Sequence, residues 1–198
     1  MTRIVNSWND FDPLKHVIVG VADHSCIPPE EPATSEKVPI DSPMRGQWGP
    51  RPTETVEKAN AQLNNLVKVL EKEGVKVDRP TPLNWSQPVM TPDFRTASMM
   101  TCMPPRDTLL TIGNEIIEAA MSFRCRYWEY LAFRPLLSEY FDKDPDFLWT
   151  QAPAHVCQTS HISTTIMTKK SRWKNVCCVP PTKISSRLKK KSCLMPQM

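Results

Sequence analysis

Pro104-Pro105-Arg106-Asp107-Thr108-Leu109-Leu110-Thr111-Ile112-Gly113-Asn114-Glu115-Ile116-Ile117-Glu118-Ala119 is the stretch that decides the fold. Two apolar runs flank Gly113-Asn114, a pair suited to the positive φ angles of a two-residue hairpin turn. Arg106-Asp107 leads into the first run. The spacing therefore predicts a β-hairpin with a carboxylate, Asp107, at its mouth, where a cation could be gripped.

Downstream, residues 122–141 read as an aromatic-rich helix, with Phe123, Tyr127, Tyr130, Phe133, Leu137 and Tyr140 among its apolar bulk. Pro135 falls inside it and predicts a kink or a split, since a straight helix would lose about 3 kcal/mol there. Upstream, Thr53 reads as the cap of a helix with Glu54 and Glu57 in its first turn, where the dipole favours acids. Val56, Ala59, Leu63, Leu66, Val67 and Leu70 follow at helical spacing, and Gly74 stops the helix. Val75-Lys76-Val77-Asp78 alternates as a half-buried strand, and His16-Val17-Ile18-Val19-Gly20 is a buried one. Residues 26–52 carry seven prolines and read as loop, as does the segment around Thr91-Pro92-Asp93-Phe94. The order of strand, helix, strand, hairpin and helix predicts an α/β fold of short units without a Gly-rich phosphate loop.

A chain of 198 residues holds one domain, or one and a part. No apolar run approaches the ~18 residues of a spanning helix. The opening segment has neither a secretory nor a transit pattern. The expected compartment is the cytoplasm, with the mitochondrion as the alternative if an upstream segment is missing. Charge divides the chain. Residues 1–154 hold 16 Lys and Arg against 21 Asp and Glu, a net −5, while residues 155–198 hold 9 Lys and Arg and no acid. The boundary predicts a folded part, 1–154, and a basic, disordered tail, 155–198.

Several segments in the same order resemble the beginning of the glycine amidinotransferase family. They are Asn6-Ser7-Trp8-Asn9-Asp10-Phe11-Asp12-Pro13-Leu14, Cys26-Ile27-Pro28-Pro29, Pro82-Leu83-Asn84-Trp85-Ser86, Pro105-Arg106-Asp107 and Gly113-Asn114-Glu115-Ile116-Ile117-Glu118-Ala119. Arg124, Arg126, Glu129-Tyr130 and Tyr140-Phe141 follow them. The resemblance implies one to two ββαβ modules of a fivefold pseudosymmetric α/β propeller. It implies transfer of the amidino group of L-arginine to glycine through an amidino-cysteine, giving guanidinoacetate and ornithine. It also implies that Asp107 binds arginine, because a carboxylate can accept two parallel hydrogen bonds from a planar guanidinium. Arg106 is expected to be exposed or ion-paired. Family members acting on other amines, such as inosamine phosphates or toxin precursors, share this beginning. The full-length family allows a homodimer.

The family's catalytic Asp, His and Cys match no position here, so no catalytic residue is assigned and the chain is expected to be inactive alone. Read two nucleotides later in the genetic code, Met195-Pro196 forces an alanine codon. The neighbouring triplets then permit Phe-Asp-Ala-Ala-Asp, the family's string at its catalytic Asp. Residues from about 155 therefore read as a frameshifted or mis-spliced translation. Neither cofactor nor metal is expected. His155, Cys157, His161, Cys177 and Cys178 contain no C-x₂-C pair, and adjacent cysteines chelate a tetrahedral ion poorly. Cys26, Cys102 and Cys125 read as ordinary reduced thiols. The alternative from another class is a non-enzymatic protein whose basic tail binds RNA or an acidic partner.

Overall fold

The computed structural model describes residues 3–31, 39–43, 45–152 and the strand Thr165–Ile166. The chain runs β1 (His16–Ile18), β2 (Cys26–Ile27), β3 (Gly49–Pro50), α1 (Thr53–Lys72), β4 (Lys76–Asp78), β5 (Val89–Met90) and β6 (Arg95–Thr96). It continues through α2 (Pro105–Thr108), β7 (Leu109–Ile112), β8 (Glu115–Glu118), α3 (Arg134–Lys143), β9 (Leu148–Gln151) and β10 (Thr165–Ile166).

Gly113 closes the β7–β8 hairpin at φ 60°, a region glycine reaches at little steric cost. Asn114 is not among the residues with positive φ. The turn therefore places its one left-handed residue first, where the sequence suggested two. The strands pair from Leu109↔Glu118 to Ile112↔Glu115. β9 then lies parallel to β8, in register from Glu115↔Leu148 to Glu118↔Gln151. Parallel neighbours need a crossover, and α3 lies on it, so β7, β8, α3 and β9 form a ββαβ unit. The sheet order is β10-β9-β8-β7. Leu109, Ile116 and Trp149 face inward and are buried, whereas Leu110, Ile112 and Leu148 on the other face are about half exposed.

The stretch read as one aromatic helix is divided. Residues Arg124–Arg126 and Glu129–Ala132 form 3₁₀ turns, and α3 starts only at Arg134. Pro135 lies in its first turn, where a missing N–H costs no helical bond. It starts a helix and does not bend one. Phe133, Leu137 and Tyr140 are buried all the same. Glu118, 1% exposed, accepts Arg134 Nε at 2.9 Å, Arg134 Nη2 at 2.7 Å and Trp149 Nε1 at 3.1 Å. The guanidinium also lies 4.6 Å from the Tyr130 ring centre, close enough for a cation–π contact.

β1 and β4 pair in parallel through Val17↔Val77, with α1 on their crossover. Pro52 occupies the cap position of α1 and no side chain caps it. Thr53 is the first helical residue rather than the cap that its hydroxyl suggested. At the other end Gly74 takes φ 79°. Its N–H reaches the Glu71 carbonyl at 2.9 Å, and that of Val75 reaches Leu70 at 3.0 Å. These are the paired bonds of a Schellman stop. The apolar stripe is only half covered. No α1 residue is buried, and Leu66 lies exposed. Residues 26–52 are also more than loop, since β2 and β3 pair antiparallel. β5 and β6 pair around Thr91-Pro92-Asp93-Phe94, where Thr91 N–H reaches the Phe94 carbonyl at 2.9 Å.

Cys26, Trp85, Cys102, Phe133, Leu137 and Trp149 belong to a single apolar core. Asp78, at the end of β4, ties that strand to β1 and to α3. Its Oδ2 lies 2.6 Å from His16 Nε2 and accepts the Tyr140 hydroxyl. The tail expected over 155–198 lies outside the described residues apart from β10, whose backbone pairs Thr165↔Gln151 and Ile166↔Thr150.

Arg134→Ala strands the buried Glu118 carboxylate, and loss of one partner of such a pair costs about 3–5 kcal/mol. Urea denaturation of the variant is expected to show that loss. Burial alone pushes the Asp78 carboxyl up, but Tyr140 and His16 outweigh it and hold the group below its usual 3.8. Its stabilising contribution is complete above that value and disappears as pH falls through the lower folded value. Tyr140→Phe is expected to move acid unfolding to higher pH and to cost about 1 kcal/mol at neutrality, as followed by circular dichroism.

Candidate functional site

Pro104-Pro105 and the short α2 turn deliver Asp107 to the open end of the hairpin. Pro105 sits at the helix start, where its fixed φ suits the first turn. Thr108 Oγ1 donates to the Pro105 carbonyl at 3.2 Å. The Ala119 N–H bonds the Thr108 carbonyl at 2.8 Å, extending the ladder to the foot of α2. Asp107 thus projects from a helical turn beside the strands rather than from a free loop.

The Asp107 side chain is 36% exposed, and its two oxygens are unequal. Oδ2 accepts Arg126 Nη1 at 2.9 Å. Oδ1 lies 3.8 Å from Arg106 Nε, beyond hydrogen-bond distance, and among the described residues it has no hydrogen bond. Arg106 itself is 92% exposed, which agrees with its sequence reading as an exposed or ion-paired residue. Behind Asp107, Arg126 Nε donates to Glu129 Oε2 at 2.8 Å. Glu129 Oε1 in turn accepts the Thr101 N–H at 3.1 Å. Glu129 is fully buried and Arg126 nearly so. Three side chains and one backbone N–H form a line from the core to the surface.

Burial pushes the Glu129 carboxyl up to about 7, against the pull of the Arg126 cation. Burial also opposes the Arg126 charge, but Glu129 and Asp107 outweigh it and hold that guanidinium firmly charged. The described thiols are far from reactive. Burial first, then the charges of Glu129 and Asp23, lift Cys102 to about 11 although the Val21 carbonyl lowers it. Burial and the neighbouring acids Glu31 and Glu129 lift Cys125 to about 12. Among the described residues no cluster of three metal-binding side chains occurs. His155, Cys157, His161, Cys177 and Cys178 lie outside them. No described helix is long and apolar enough to cross a membrane.

Sequence reading singled out Asp107 and missed its partners. The signal was present in Arg126-x-x-Glu129, since residues three apart share one face of a helical turn. A separate shallow depression is lined by Glu118, Tyr127, Tyr130 and Gln151, and Asp107 is not among its lining residues.

No family model matches the chain. It is 44% identical over 154 residues to the mitochondrial glycine amidinotransferase of Danio rerio, which spans 75% of this chain and 35% of that protein. It is 40% identical over 143 residues to the L-arginine:L-lysine amidinotransferase of Pseudomonas savastanoi, 71% of this chain and 39% of that one. The chain therefore spans between a third and two fifths of the length of these curated relatives. Among solved structures, an inosamine-phosphate amidinotransferase from Streptomyces griseus superposes at TM-score 0.68 with 33% identity, over 78% of this chain and 44% of that one. An amidinotransferase of the saxitoxin biosynthetic pathway from Microseira wollei superposes at 0.64 with 39% identity, over 76% and 42%.

Alkylation depends on thiolate. Iodoacetamide at pH 7.5 is accordingly expected to leave Cys102 and Cys125 unmodified in the folded chain and to label both in urea, read by peptide mass spectrometry.

Proposed function

We propose, on the premise that the matched three quarters of this chain belongs to the amidinotransferase family, that it is part of an enzyme moving the amidino group of L-arginine to glycine. Asp107 is the carboxylate that binds the arginine guanidinium. The observation that carries this reading is the asymmetry of Asp107, with one oxygen fixed by Arg126 and the other open on a side chain 36% exposed. A fixed, partly desolvated carboxylate suits a cationic fork because charge-assisted bonds are stronger there than in open water.

In the proposed reaction a cysteine thiolate attacks the guanidinium carbon, and the C–N bond to ornithine breaks as that nitrogen takes a proton. The amidino group then passes from sulfur to the glycine amine, giving guanidinoacetate and restoring the thiol. Among the described residues no thiol suits the nucleophile, because Cys26, Cys102 and Cys125 are all buried with raised pKa values. The described part supplies binding and framework. Glycine is the preferred acceptor because the vertebrate relatives carry that name at 41–44% identity. A lysine or another amine is the alternative, following the other relatives' names. Those vertebrate names also include the word mitochondrial, which supports that compartment over the cytoplasm.

The ββαβ unit stands as one module of a fivefold propeller. The half-exposed Leu110, Ile112 and Leu148, together with the uncovered stripe of α1, are faces that neighbouring modules would cover.

Calorimetric titration of the 198-residue chain with L-arginine tests the reading. Hydrogen bonds to charged groups contribute about 1.5–3 kcal/mol. Asp107→Asn is therefore expected to weaken arginine by about 10- to 100-fold, and ornithine, which lacks the fork, to bind weakly to both. Equal arginine affinity in the variant would overturn the assignment.

A further inference from the structure

We infer that Arg126, anchored by Glu129, is a positioning residue for Asp107: it occupies Oδ2 and so presents Oδ1 alone to the arginine guanidinium. The inference rests on the reading of Asp107 as the arginine-binding carboxylate. It departs from the two-oxygen grip that the sequence led one to expect.

Three observations support it. α2 is a single turn of four residues, too short to fix the direction of a side chain at its surface. The fixing comes from behind, where Glu129 receives both the Thr101 N–H at 3.1 Å and Arg126 Nε at 2.8 Å. That leaves Arg126 a single route outward, and its Nη1 meets Asp107 Oδ2 at 2.9 Å. The planar guanidinium transmits the orientation because its donors keep fixed angles to one another. A lysine could neutralise either acid but could not hold both from one rigid plane. The Arg126 cation also stands between Asp107 and Glu129. Arg106, the other cation near Oδ1, is almost wholly exposed and so screened by water.

The test is calorimetric titration of the 198-residue chain and its variants with L-arginine, with a thermal melt of each. Arg126→Lys is expected to melt close to the unaltered chain yet to bind arginine about 5- to 10-fold more weakly, because charge is kept and the fork is lost. Arg126→Met is expected to lose more. Asp107→Asn combined with Arg126→Met should bind no worse than Asp107→Asn alone, since both act through one carboxylate. Arg126→Lys decides the case whatever the folding of Arg126→Met. If it binds arginine as the unaltered chain does while Asp107→Asn fails, the positioning role is overturned and the role of Asp107 stands. Additive losses in the double variant overturn it as well. If Asp107→Asn binds arginine normally, or the unaltered chain does not bind arginine, the reading of Asp107 falls and this inference with it.

Discussion

Glu118 ends β8 inside the apolar core, where an unpaired carboxylate would cost several kcal/mol. Its two oxygens are satisfied by the Arg134 fork and by Trp149 Nε1. Those donors come from the first turn of α3 and from β9, the next two elements of the ββαβ unit. One buried charge thus fixes where the crossover helix begins and which strand lies beside β8. Pro135 serves the same end, since it favours a helix start beside Arg134 and keeps that side chain at the sheet.

The irregular stretch between β8 and α3 carries Arg126 and Glu129, and it places Tyr130 beside Arg134. Arg126 and Glu129 face Asp107 and the Thr101 backbone, whereas Tyr130 stacks on Arg134. A single regular helix would set these side chains at fixed steps around one axis. Two 3₁₀ turns, with three residues per turn, instead let Arg126 reach both Glu129 and Asp107 while Tyr130 lies over Arg134. The candidate site thus depends on one local departure from helical regularity, which also sets Tyr130 over the Arg134 guanidinium.

That departure explains what could and could not be read from sequence. The β7–β8 hairpin was legible because Gly113-Asn114 stands between two apolar runs. The extent of α1 was legible from its stripe and from Gly74. Its burial was not, because burial depends on what packs against the helix and not on its own periodicity. β2, β3, β5 and β6 have two residues each, fewer than any alternation test can detect. Residues 122–141 looked helical because aromatic bulk was counted, while the irregular turns before Arg134 carry no comparable marker. Within the site, Asp107 stood out through resemblance. Arg126 and Glu129 became meaningful only once the fold brought position 126 across nineteen residues to position 107.

α1 has twenty residues and none of them is buried. Its hold on the rest of the molecule is a half-covered stripe, the bond from Ala22 N–H to Asn60 Oδ1 at 2.8 Å and a few like it. Backbone amides open to exchange with solvent deuterium most readily where few apolar contacts must be broken. By that measure the central turns of α1 are expected to exchange fast and β8, enclosed by β7 and β9, slowly. The molecule is accordingly expected to be graded in time, with a quick outer helix and a slow inner sheet.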